Sequence, residues 1–312
     1  MRQPSPLPDG LPGRAFSVAE AAATGVTAAR LRASDLDRPH SGVRTPRGSP
    51  TTVAARARAL STVLGDGAVF SHLTAARLWP LDLPREAEDE PLHVAVRHPG
   101  RAPRRRGVVG HSIRDPDVRA VLRHGLRLVD GASLFCHLAT VLAVEDLVAV
   151  GDALVRAPVR QVVGDRRPWI TRDELQRRVA GFTGPGARAA RRALALVRSG
   201  AESRRETHFR LALLDAGLPE PELQIELFDA EGSFLGRVDV FYPDWGVGGE
   251  YEGDHHRTDR AQWDRDLIRY ERMAAAGYSI VRIAGTSFTR DPAGCAARVR
   301  ARLLAAGWRT GH

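Results

Sequence analysis

The feature that most constrains this chain is a pair of strand-like runs sharing one short turn. Arg237-Val238-Asp239-Val240-Phe241-Tyr242 and Val247-Gly248-Gly249-Glu250-Tyr251-Glu252 are joined by Pro243-Asp244-Trp245-Gly246. Side chains alternate faces along a strand, so such runs bury at least one face against other elements. Both runs nevertheless carry acids among apolar residues: Asp239 in the first, Glu250 and Glu252 in the second. A hairpin through the turn brings Asp239 close to Glu250. Carboxylates at a buried strand end are costly unless they bind something, and a bound cation is the usual remedy. Gly253-Asp254-His255-His256 follow at once, adding another acid and two imidazoles.

A third acid comes from a helix. Glu206, Phe209, Leu213 and Ala216 fall on one helical stripe, so Glu206 sits on the face that packs inward, and Glu202 lies one turn earlier. Oxygen-only ligands of this kind suit Mg²⁺ or Mn²⁺, which stabilise phosphoryl charge and lower the pKa of a bound water. His255 and His256 stand next in the chain for proton transfer or phosphate contact. The competing explanation is a pair of surface strands salt-bridged by some of the many arginines. Acids in mid-strand with apolar neighbours argue against it.

The 312 residues suffice for two or three domains, and the net charge is +9. Residues 1–200 hold 31 Arg against 19 Asp and Glu, whereas residues 201–312 hold 15 Arg against 18 acids. A basic front and a slightly acidic back suit a nucleic-acid-binding half joined to a cation-binding half. Lysine is absent from the whole chain. No run of eighteen apolar residues occurs, and Met1 to Gly13 lacks the apolar core of a signal peptide. Cys136 and Cys295 have no metal-ligand spacing and read as reduced thiols, so a cytoplasmic location is expected.

Four segments are expected. Residues 1–49 read as a winged helix-turn-helix. Ser17 and Glu20 form a capping box for a first helix, Gly25 permits the turn, and Thr27 caps a second helix over Ala28 to Ala33. Arg30 and Arg32 on that helix, and Arg44 after the His40–Val43 turn into a wing, are candidate DNA contacts. A generic helical hairpin is the alternative. Residues 50–160 read as an α+β segment. It has helices at 54–63, 71–79, 134–144 and 146–155, strands at 92–96 and 107–113, and a basic loop from Arg97 to Arg106 suited to phosphate or to solvent. His72, His93, His98, His111, His124 and His137 show no convergent ligand spacing and read as structural or surface groups. Residues 161–200 read as a helical linker, because Gly181 to Gly186 lacks the ending of a phosphate-binding loop. Residues 201–312 have the order αβββαβα, a mixed sheet covered by helices. The overall class is α/β, or α+β over the whole chain.

Beyond this reading, the C-terminal motifs resemble a known family. Glu206-Thr207, Arg237-Val238-Asp239 and Glu250 to His256, then Asp266, Arg269, Gly277-Tyr278 and Val281-Arg282, are similar to the very-short-patch-repair-like endonuclease domain of the PD-(D/E)XK, restriction-endonuclease-like superfamily. The resemblance covers about residues 200–308. It implies metal ligands at Asp239 and Glu250 with support from Glu206, and a histidine, His256, near the scissile phosphate. The superfamily's lysine position is occupied by Glu252, so a lysine-dependent mechanism is excluded; related domains often carry an acid there with a downstream histidine. Phe16 to Ala33, the Gly42-Val43 wing and Ser71 to Trp79 resemble the winged-helix N-terminus of abortive-infection type IV antitoxins, which implies a DNA-binding repressor with a toxin partner.

Two functions follow as expectations. In the first, a Mg²⁺- or Mn²⁺-dependent endonuclease hydrolyses phosphodiesters. Asp239 and Glu250 hold the metal, Glu206 orients water or a second ion, His256 acts as acid/base, Glu252 assists, and His255 contacts nucleic acid. DNA is the expected partner, with RNA left open. In the second, the chain is a non-catalytic, antitoxin-like DNA-binding regulator with an inactive nuclease-fold domain.

Overall fold

A computed structural model describes residues 4–84, 90–158, 163–252 and 260–309, with backbone alone for 260–264. In chain order the elements are β1 (Phe16–Ser17), α1 (Val18–Ala23), a 3₁₀ turn (Arg30–Arg32), β2 (Leu36–Asp37), β3 (Val43–Pro46), α2 (Val53–Ser61), β4 (Ala68–Phe70), α3 (His72–Leu78), β5 (Leu92–Arg97), β6 (Val108–Ile113), β7 (Ala120–Arg123), β8 (Leu126–Val129) and α4 (Gly131–Leu138). They continue as α5 (Val144–Val155), α6 (Arg172–Gly181), α7 (Ala187–Leu196), α8 (Arg204–Asp215), β9 (Glu222–Phe228), β10 (Phe234–Tyr242), a 3₁₀ turn (Pro243–Trp245), β11 (Val247–Glu252), α9 (Arg260–Ala275), β12 (Ser279–Ala284), α10 (Gly285–Arg290) and α11 (Pro292–Ala305). The architecture is mixed α and β. No helix of the described residues is long and apolar enough to cross a membrane.

The chain divides into two compact units. The first comprises residues 1–142 and 173–191, the second residues 143–172 and 192–312. In the first unit, a small sheet has the order β1-β3-β2 and a five-stranded sheet the order β6-β5-β4-β8-β7. The capping box forms at α1: Ser17 Oγ accepts from Glu20 N at 2.9 Å, and Ser17 N donates back to Glu20 Oε2. The second helix differs from expectation. Thr27 Oγ1 does accept from Arg30 N at 3.3 Å, but the segment makes only one turn of 3₁₀ helix. It stops because Ala33 turns extended, and Leu36 then pairs with Pro46 and buries its side chain. Short β4, β7 and β8 complete the larger sheet.

The second unit is built on the sheet β12-β11-β10-β9, in which only β11 and β12 run parallel. One face packs Phe209 and Leu213 of α8 and Val299 and Leu303 of α11 over Val240, Val247 and Ile283. The opposite side packs Met273 of α9 with Leu227, Val238 and Phe241. A buried polar network ties α5 to α8. Asp152 accepts from Thr207 Oγ1 at 2.9 Å, from Arg210 Nη2 at 3.1 Å and from Arg198 N at 2.7 Å, while Arg210 also donates to Leu196 O and Glu220. Burial raises the Asp152 carboxyl to about 6 against the opposing pull of Arg210.

Candidate functional site

The second unit's sheet places the two strand acids together. β10 and β11 pair antiparallel with Val240 opposite Gly249. One residue further along that register sets Asp239 opposite Glu250, and directly opposed residues share a face. Glu206 arrives from α8, which approaches the sheet because position 249 is glycine. A Cβ there would lie 2.9 Å from both Phe209 Cζ and Val240 Cγ2, too close for any side chain. Phe209 stands one turn from Glu206, so close seating of its ring carries Glu206 to the strand edge.

One uncharged amide links the first two acids. Gln224 Nε2 donates to Glu206 Oε2 at 2.9 Å and to Asp239 Oδ1 at 3.0 Å. Gln224 holds a left-handed backbone, φ +55°, within strand β9, a conformation with few non-glycine occupants. Tyr251 N donates to Asp239 Oδ2 at 2.7 Å. Glu206 also serves its own helix: Ser203 Oγ accepts from Glu206 N and donates to Oε1, and Glu202 N donates to Oε2 at 2.7 Å. These bonds do not offset the charge. Burial, then the charges of Glu206 and Glu250, push Asp239 up to about 7, and burial raises Glu206 as well.

The other two acids are matched by arginine. Arg269 Nη2 lies 2.7 and 3.0 Å from the two Glu250 oxygens, and Tyr270 Oη donates to Oε2 at 2.6 Å. Glu252 pairs with Arg282, whose guanidinium rests 4.6 Å from the Tyr270 ring centre. Burial and Glu250 raise the Tyr270 hydroxyl, keeping it a proton donor.

No protein-family model matches the chain, and no solved structure matches it. Two proteins of Mycobacterium tuberculosis, from strains CDC 1551 / Oshkosh and ATCC 25618 / H37Rv and each described as uncharacterized, are 35% identical to it over 133 residues. The match takes in 42% of this chain and 49% of theirs, so the chain spans about half the length of the curated relatives it matches.

Of the residues singled out from sequence, Glu206, Asp239 and Glu250 therefore meet around one strand edge, with Glu252 next to them on Arg282. His255 and His256 lie outside the described residues. Gln224 and Tyr270 carry no sequence signal for their parts; the bridging amide follows from a backbone conformation that composition does not announce. The three acids do not close into a cage. Among the described residues, the one set of three or more His, Cys, Asp or Glu whose ligand atoms lie within 4.8 Å of one another is His72, His93 and His111. Their spacing in the sequence gives no sign of this convergence.

In the first unit, Arg30 is engaged with Asp35 through both terminal nitrogens, at 2.9 and 2.7 Å, and with Ser5 O. Arg44 donates to Leu31 O and Val43 O. Arg32 is exposed. A larger basic feature lies elsewhere in that unit: a cleft of about 1340 Å³ lined by Arg38, Arg56, Arg101, Arg104, Arg105 and Arg106 together with His40.

Proposed function

We propose that this chain is a Mg²⁺- or Mn²⁺-dependent phosphodiesterase acting on DNA, with nucleic acid held in part by the first unit. The observation that carries the reading is the unbalanced charge at Asp239. Two carboxylates stand on facing strand positions with a third from α8, burial and the charges of Glu206 and Glu250 raise Asp239, and the group that bridges Glu206 and Asp239 is a neutral amide. Such a pair fits a hard divalent ion. Mg²⁺ is typically held by one or two carboxylates, its other positions filled by water and substrate phosphate, so a closed protein cage is not required. A metal held there would polarise the phosphate and supply an activated water.

The chain's own residues would work as follows. Asp239 and Glu250 hold the ion. Tyr251 N fixes the orientation of the Asp239 carboxylate, and Gln224 keeps Glu206 and Asp239 at one spacing. Arg269, shared with Glu250, presents a planar fork suited to a phosphate oxygen. Glu252 is committed to Arg282, so proton transfer falls to His255 or His256. The cleft lined by Arg101 and Arg104 to Arg106 matches a phosphate backbone in charge and size. That cleft, rather than Arg30 or Arg44, is the better-placed nucleic-acid contact.

A second reading, a non-catalytic DNA-binding regulator of antitoxin type, draws on a different observation: arginines already neutralise Glu250 and Glu252. Incubating supercoiled plasmid with the full chain and Mg²⁺ or Mn²⁺, alongside Asp239→Ala, separates the two. Metal-dependent nicking lost in the variant supports the phosphodiesterase. DNA binding without nicking under any condition supports the regulator.

A further inference from the structure

We propose that His72, His93 and His111 form a binding site for a divalent transition-metal ion, Zn²⁺ foremost, in the first unit. The site is independent of the carboxylate cluster and of the phosphodiesterase reading.

Three elements build it. His93 and His111 lie on the parallel strands β5 and β6. His93 stands opposite Val109 and Ala95 opposite His111, so the two imidazoles are diagonal neighbours on one sheet face. His72 opens α3. The chain there is tied to β5 twice: Ser71 N donates to His93 O at 3.1 Å, and His93 N donates to Thr74 Oγ1 at 2.8 Å. These bonds hold His72 against His93 whatever occupies the space between the rings.

The ring geometry suits a metal. His93 Nδ1 and His111 Nε2 are 3.0 Å apart, and one ring nitrogen from each of the three residues falls within 4.8 Å of the others. Two nitrogens on a tetrahedral zinc, each about 2.05 Å from the ion, are roughly 3.3 Å apart, close to the His93–His111 spacing; the His72 ring stacks on His111 with centres 3.8 Å apart, and turning out of that stack aims its nitrogen at the same ion. An all-imidazole set selects Zn²⁺, Cu²⁺ or Ni²⁺ over Mg²⁺ and Ca²⁺.

Three further observations favour a ligand over a simple ring stack. Ser71 sits at the cap position of α3, yet its Oγ makes no capping bond; it lies 3.0 Å from His72 Nδ1 and so orients that ring. His72 keeps a left-handed φ of +46°, a strain that persists in proteins chiefly where position matters. Beyond the three rings, His137 of α4 stacks 5.1 Å from His72, and its Nδ1 is buried with no hydrogen-bond partner. A single N–H···N bond between His93 and His111 accounts for that pair alone. It does not explain the diverted Ser71 hydroxyl.

The test is a titration of the chelator-treated full chain with Zn²⁺ by calorimetry, and with Co²⁺ by visible absorption. The expected result is one ion per chain and a Co²⁺ ligand-field band typical of nitrogen coordination. Both are lost in His111→Gln and kept in Asp239→Ala; Ser71→Ala weakens Zn²⁺ affinity by about 10-fold, as for groups that orient a ligand. Should His111→Gln fail to fold, imidazole ¹⁵N shifts of the wild-type protein with and without Zn²⁺ decide: perturbation of the His72, His93 and His111 rings supports the site. Absence of stoichiometric Zn²⁺ binding, or binding abolished by Asp239→Ala and untouched by His111→Gln, overturns it.

Discussion

Replacing Asp239 by Asn probes the charge imbalance directly. Asp239 is held at about 7, against 3.8 for an unperturbed aspartate. The folded protein therefore retains a proton at this position that the unfolded chain releases near pH 4. A raised carboxyl contributes its stability below the unfolded value and loses it as pH climbs through the folded one. Three units correspond to about 4 kcal/mol at most, at 1.36 kcal/mol per unit. In a unit of this size that is about 10 °C in melting temperature. Asn carries no titratable proton and can accept from Tyr251 N or Gln224 but not both, a constant penalty of about 1 kcal/mol. Calorimetric melting of wild type and Asp239→Asn without metal, from pH 4 to pH 8.5, gives the difference free of titrations remote from Asp239 and its coupled neighbours. The variant should start slightly less stable, draw level, and finish several degrees more stable. Excess Mg²⁺ should raise the wild type at pH 8 more than at pH 5 and leave the variant unmoved. A difference that stays flat across the range, or a variant that falls further behind as pH rises, would refute the argument that Asp239 lacks a counter-charge.

Two further substitutions test how the second unit is held. Asp152→Ala leaves the fully buried Arg210 with its charge half-matched and should cost about 3–5 kcal/mol in urea denaturation. Gly249→Ala drives a methyl into Phe209 and Val240; overpacking of this kind costs about 1–3 kcal/mol, and by displacing α8 it should lower metal affinity without touching any ligand.

The second unit's strands were legible because their periods were clean. β9, β11 and β12 begin and end where the alternation and the turn residues Asp229, Gly232, Pro243 and Gly246 put them. The second helix of the N-terminal segment misled because Thr27 and the alanines favour helix locally, while the pairing of Leu36 with Pro46 demands that the chain turn away after Ala33. β4, β7 and β8, at three or four residues each, are too short to show a period. The facing of Asp239 and Glu250 could be read from the hairpin. The arginine partners of Glu250 and Glu252 could not, since Arg269 and Arg282 lie on a helix and a strand far along the chain. The convergence of the histidines was illegible for a related reason: metal-ligand spacing is a local signal, whereas a parallel strand pair and a helix start bring residues 72, 93 and 111 together across long intervals of chain.

Gln224 has a consequence of a different kind. An amide donor serves an ionised carboxylate and a protonated one alike, and it takes no side between them. If the proposed ion binds there, protons and the cation are rival occupants of one seat. On the proposed reading, loading the site would release protons to the medium. Acidity and magnesium concentration would be sensed there as a ratio rather than as two separate quantities.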